Sequence, residues 1–131
     1  MFITNLEIEH FRGIQKGNIV FPLDSRVICM IGAGDSTKST ILKAIEWVFW
    51  PSWNLIACDN DFYGCDTSTP IIIRGTFKEI PPKLISEDKD GLYLRKPHVP
   101  LNPDINDEPE AEGDFCLTIQ LTIDCTLEPK W

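Results

Sequence analysis

The chain opens with apolar and polar residues in alternation: Phe2, Leu6 and Ile8 against Asn5, Glu7 and Glu9. A period of two predicts a strand with one buried face. Residues 13–17 (GIQKG) read as a turn, and residues 18–23 (NIVFPL) as a second strand closed by Pro22. Val27, Ile28, Cys29, Met30 and Ile31 then form an unbroken apolar run that stops at Gly32. So short a run predicts a central strand buried on both faces. After a glycine-containing loop, Ile41, Ile45, Val48 and Phe49 recur at helical spacing, and Leu42, Ala44 and Trp47 widen the apolar stripe. That pattern predicts a helix buried on most sides, ended by Pro51.

The second half is less regular. Residues 52–69 read as a polar loop, and residues 70–80 (PIIIRGTFKEI) as a β-branched strand. Residues 81–94 open on two prolines, which a helix start tolerates, and predict a short helix. Residues 95–114 are rich in proline and acid and read as a long loop. Residues 115–124 (FCLTIQLTID) alternate again, with Phe115, Leu117, Ile119, Leu121 and Ile123 on one face. Five strands and one clear helix predict an α/β or α+β fold, a mixed sheet around one buried helix. A single lobe is expected over residues 1–131: a core over 1–80, an acidic loop-rich insertion over 81–114 and a closing strand over 115–124.

Composition narrows the function classes. The formal net charge is −8, and residues 86–114 hold nine acidic residues against three basic ones. Such a chain does not grip nucleic acid through its overall field, which requires clustered Lys and Arg. Elsewhere the charges nearly balance, which leaves room for a local basic patch. The five cysteines form no C-x-x-C pair and are odd in number, so neither a zinc site nor a disulfide framework is indicated. Free thiols in a reducing cytosol are the simpler reading. His10 and His98 stand alone, without partners at metal or triad spacing, and no Cys–His pair supports nucleophilic catalysis. The charged, alternating N-terminus lacks the apolar run of a signal peptide. No segment approaches the ~20 apolar residues of a membrane span. A cytoplasmic protein without membrane contact is expected.

The candidate chemistry lies in residues 32–40, GAGDSTKST. The Walker A pattern is G-x-x-x-x-G-K-[ST]. Gly32 takes its first position, Lys38 and Ser39 its last two, and Thr37 stands where the second glycine belongs. The order around it is the one the physics of phosphate binding requires. An apolar strand delivers a tight turn, and the turn aims backbone N–H groups inward. The following helix adds its positive N-terminal end. In that reading Gly32, Ala33, Gly34, Asp35, Ser36, Thr37, Lys38, Ser39 and Thr40 enclose the phosphates, Lys38 reaches the β- and γ-phosphates, and Ser39 places its hydroxyl on Mg²⁺. Threonine is β-branched and stiff. Were its position to need a positive φ, the strain would be on the order of 1–3 kcal/mol. The competing reading is a Gly-Asp-Ser turn before a helix capped by Ser36 or Thr37. A lysine in the first turn opposes the helix dipole, so the plain turn leaves Lys38 unexplained.

Three features taken together, LEIEHFRGI at residues 6–14, the loop at 32–40 and STILKAIEWVF after it, resemble a known family. They are similar to the N-terminus of the ABC-type P-loop ATPases of the RecF and SMC group, above all the OLD (overcoming lysogenization defect) ATP-dependent endonucleases. Asp61, Phe62 and Tyr63, ahead of the 70–80 strand, also look like the OLD pattern. The resemblance covers residues 1–80. It implies ATP and Mg²⁺ as cofactors, and ATP-driven joining of two heads in a homodimer or higher homo-oligomer. It also implies DNA processing, in repair or anti-phage defence, through further modules. By the same resemblance Arg12 lies near the nucleotide, and Asp61 takes the place of a residue on the metal side. The family's loop asparagine is Gly34 here and its last loop glycine is Thr37. These departures bear on catalytic competence more than on fold.

The partner's signature motif, the Walker B carboxylate pair, the switch histidine and the Toprim domain of the OLD nucleases are not found. Asp124, after LTI, imitates the Walker B aspartate, but its strand alternates. The chain therefore reads as the first lobe of a longer protein or a truncated relative, able to bind nucleotide but with little turnover alone. The rival reading is a non-catalytic interaction module in which the loop has decayed and the acidic segment 104–114 docks a basic partner.

Overall fold

The computed structural model describes residues 1–22, 27–34, 37–52, 54–81 and 116–131. Strand β1 covers Phe2–Phe11, β2 Ile14–Val20, β3 Ile71–Lys78, β4 Leu117–Ile123 and β5 Pro129–Lys130, with helix α1 at Lys38–Val48. The strands form one sheet in the order β2-β1-β3-β4-β5. All four ladders are antiparallel. Of the two fold classes left open above, this arrangement is α+β.

Alternation builds the sheet. On the core face Ile8 stands opposite Ile73 and Ile73 opposite Leu121, while Ile71 faces Ile123; all five are fully buried. Helix α1 lays Ala44, Trp47 and Val48 on this face. The other face is polar and paired across strands. Arg74 Nη1 meets Glu7 at 3.1 Å and Glu9 at 3.6 Å, and its Nε donates to Gln120 at 2.6 Å. Gly75 is needed by its neighbour, since a Cβ there would stand 2.7 Å from the buried Phe77 ring.

Several expectations change. The 13–17 turn is tighter than its glycines indicate: β2 already begins at Ile14, and only Arg12 and Gly13 turn the chain. Phe2 does not share the core face of Leu6 and Ile8. The β1–β3 register shifts between Ile3 and Asn5, so Ile3, opposite Phe77, packs on the core instead. A bulge inserts one residue and so exchanges the faces. Thr4 satisfies itself there, its hydroxyl donating to the Thr76 carbonyl at 3.1 Å and its own carbonyl accepting from the Phe21 amide at 2.9 Å.

The largest correction concerns Val27, Ile28, Cys29, Met30 and Ile31. They are irregular and lie outside the sheet, with Val27 76% and Ile31 95% exposed. The parallel part of the expected mixed sheet rested on this run. A strand buried on both faces needs a covering layer on each side and neighbours on its edges. The described sheet has its helix on one face and supplies this run with no partner strand.

The helix begins and ends where its pattern placed it. It is less enclosed than predicted, because Leu42 and Phe49 remain exposed. Residues 52–69 are also more ordered than a polar loop. Leu55, Ala57 and Phe62 are buried, and two short 3-10 turns occupy Asp59–Asp61 and Tyr63–Cys65. Trp47 is core, while Trp50 and Trp131 pack at its margin. All but the first residue of the predicted helix in 81–94, the acidic loop, Phe115, Trp53 and His98 lie outside the described residues. Among the described residues no helix is long and apolar enough to cross a membrane.

Candidate functional site

The loop reaches α1 through Thr37, the residue before the first helical position. Thr37 has φ 63° and ψ 1°, the left-handed region, and makes no side-chain capping hydrogen bond. This is the conformation for which glycine is the default residue. The Walker A glycine position therefore keeps its glycine backbone while carrying a threonine.

Lys38 turns back into the loop. Its ammonium donates to the carbonyl oxygens of Gly32 at 2.9 Å and Ala33 at 2.5 Å. The first turn of α1 contains no acidic residue, so no carboxylate there offsets the positive helix end. Gly32, Ala33 and Gly34 are exposed, and a Cβ on Gly34 would meet nothing within 4 Å. Among the described residues, packing gives no reason for a glycine at that position. Ser39 is exposed and Thr40 half-buried in the first turn. Asp35 and Ser36 lie outside the described residues.

The hairpin turn stands beside this loop. A Cβ on Gly13 would lie 3.4 Å from Thr37 Cγ2. A groove lined by Gly13, Ile14, Lys16, Ile19, Thr37 and Ile41 runs between β2 and the start of α1.

Arg12 and Asp61, far apart in sequence, are joined. Arg12 Nε and Nη2 both reach Asp61 Oδ1, at 2.9 and 2.8 Å. The Arg12 amide also donates to the Asp61 carbonyl at 2.8 Å. The guanidinium carbon lies 5.4 Å from the Phe11 ring centre and 6.0 Å from that of Trp47 on α1. Asp61 Oδ2 accepts from the Cys58 amide at 3.1 Å and the Cys58 thiol at 3.2 Å. The neighbouring carboxylate pushes the Cys58 thiol up from its ordinary value, first through that hydrogen bond. Both oxygens of Asp61 are thus held by protein donors, and a metal ion would have to displace them.

The remaining candidates do structural work. Phe62 is buried and bridges to Phe11. His10 donates from Nε2 to the Asp66 carbonyl at 2.8 Å, beside Tyr63. Asp124 closes the β4–β5 turn, bonding Lys130 Nζ at 2.7 Å and the Thr126 amide at 2.9 Å. Cys58 and Trp47 were not anticipated as partners of the Arg12–Asp61 pair. The signal for Cys58 is its spacing to Asp61, since a carboxylate three residues after an N-cap reaches back to the cap amide. No signal in the sequence marks Trp47 as a neighbour of Arg12, because that contact crosses from strand to helix.

Residues 1–123 match the family model of an AAA ATPase domain. The match spans most of the chain, and the protein belongs to this ATPase domain family. No curated protein matches the chain. An ATPase domain of this family suggests ATP binding.

Proposed function

We propose that the chain is the ATP-binding lobe of an OLD-like ATPase. The observation that carries this reading is Lys38, whose ammonium is folded into the mouth of a Walker A loop at the positive end of α1. An ammonium there holds the loop's first carbonyls, and arriving β- and γ-phosphates would take their place as its partners. The amides of residues 32–40 would supply the remaining donors, and Ser39 the hydroxyl for Mg²⁺. The fit is supported by open space over Gly34, which leaves room for phosphate, and by the left-handed Thr37, which preserves the turn. When bound, Mg²⁺ would neutralise phosphate charge. The chain's own residues bind and orient the nucleotide.

In the intact assembly, ATP held here joins two such lobes in a homodimer or higher oligomer and switches a DNA-processing module. The resemblance to the OLD nucleases supports that step. The domain division into a core, an acidic insertion and a closing strand, and a cytoplasmic setting, belong to the same reading.

The test is calorimetry of Mg-ATP with the chain and with Lys38→Ala. Binding is expected in the first and a loss of roughly tenfold or more in the second, the scale of a charged hydrogen bond. Equal binding by both proteins would defeat the proposal.

A further inference from the structure

We propose that Asp61 is a positioning residue of the nucleotide site, acting through Arg12 rather than on a metal ion. This inference rests on the ATP-binding reading above. The clamp is over-determined. One oxygen of Asp61 takes two nitrogens of Arg12, and the other takes the amide and thiol of Cys58. The Asp61 side chain is itself 8% exposed, which makes a wandering geometry costly for a charged pair. Phe11 and Trp47 fix the guanidinium from the side.

The clamp reaches the phosphate loop through one residue. Arg12 has φ 48° and Thr37 has φ 63°, and Gly13, next to Arg12, lies close enough to Thr37 that a Cβ on it would stand 3.4 Å from Thr37 Cγ2. Two non-glycine residues in the left-handed region persist only where their surroundings hold them. Asp61 supplies that hold for Arg12 through both backbone and side chain. The Arg12 side chain remains 37% exposed. Its contacts with Asp61 engage Nε and Nη2, and on this inference the Nη1 edge takes an acceptor from the nucleotide. A phosphate or ribose oxygen is the acceptor such an edge recognises.

The experiment is a double-mutant cycle on Mg-ATP affinity with Arg12→Ala, Asp61→Asn and the double variant. Lys38→Ala serves as control and melting curves verify folding. Each single change is expected to weaken binding on the order of tenfold. In the Arg12→Ala background, Asp61→Asn is expected to add nothing, because its route has been removed. A merely structural Asp61 would weaken binding by the same factor in both backgrounds, and that result would overturn the inference. An Asp61→Asn effect seen with Mg-ATP but absent with ATP in EDTA would also overturn it, in favour of a metal-side role. Absence of Lys38-dependent binding in the unmodified chain would instead refute the ATP-binding reading, and this inference with it. Should Asp61→Asn not fold, the cycle is run with Asp61→Glu, which keeps the charge and displaces it by one methylene.

Discussion

Ile73 and Ile31 are the same residue in opposite situations. Ile73 sits in β3 between Ile8 and Leu121 and is fully buried. Ile31 sits in an apolar run of equal promise, yet that run is irregular and Ile31 is almost wholly exposed. The first segment alternates and needs only one covered face, which α1 and its neighbours supply. The second is apolar at every position and needs two covered faces and paired edges. Hydrophobicity drives burial only where the tertiary structure offers a place to be buried.

The comparison can be broken most directly by truncation. Ile73→Ala should cost about 2–5 kcal/mol, the range for a large-to-small change in a packed core. Ile31→Ala should change stability by less than roughly 0.5 kcal/mol, as at an exposed site. Denaturant titration of both variants checks this. Equal losses would show that residues 27–31 are packed in solution.

A smaller effect is expected at the junction of loop and helix. Thr37→Gly removes a β-branched residue from the left-handed region, worth about 1–2 kcal/mol. Glycine returns part of that through its freer unfolded chain. A net gain of about 1 kcal/mol is expected by thermal melting, together with Mg-ATP affinity at least equal to that of the unmodified chain. Lower affinity would show that the Thr37 hydroxyl or methyl itself contributes to the site.

The smallest effect belongs to the exposed turn after β4. Lys130, and then Thr126, hold the Asp124 carboxyl well below the usual carboxylate range, and Asp124 in turn raises Lys130. A depressed folded-state value means that the pair favours folding above the ordinary carboxylate range. That contribution fades as pH falls through the lowered value. Both groups are open to solvent, so the effect on stability is slight. Carboxyl-carbon NMR titration should show Asp124 moving back towards its ordinary range in Lys130→Ala. An unmoved midpoint would remove Lys130 as the principal cause.

Much of the frame was legible in the chain. Strands β1 and β4 followed from period two, β3 from its β-branched run, and α1 with its end before Pro51 from the helical stripe. The Walker A spacing singled out residues 32–40, the segment proposed above to bind phosphate. What escaped has identifiable causes. The bulge near Thr4 leaves no mark in the hydrophobic pattern, so Phe2 and Ile3 exchanged faces. Glycines at 13 and 17 suggested a wide turn, but Gly17 pairs with Ile8 inside β2. Strand β5 has only two residues, too few for any period.

By itself, then, the sequence determined the elements that local period and turn chemistry specify, and the nine-residue loop whose order of glycine, lysine and serine points to phosphate. Only the tertiary structure decided three things. It left Val27 to Ile31 outside the sheet, because a doubly buried strand depends on layers that a local pattern cannot supply. It placed Thr37, the residue that leads into α1, in a glycine conformation, because backbone torsions at a loop–helix junction are set by the fold and not by the residue's own preference. It joined Arg12 to Asp61, because antiparallel pairing of β1 with β3 and the Phe11–Phe62 bridge bring the hairpin turn against the 58–62 segment. Side-chain partners distant in sequence are set by the register of the sheet, and the register is a property of the whole fold.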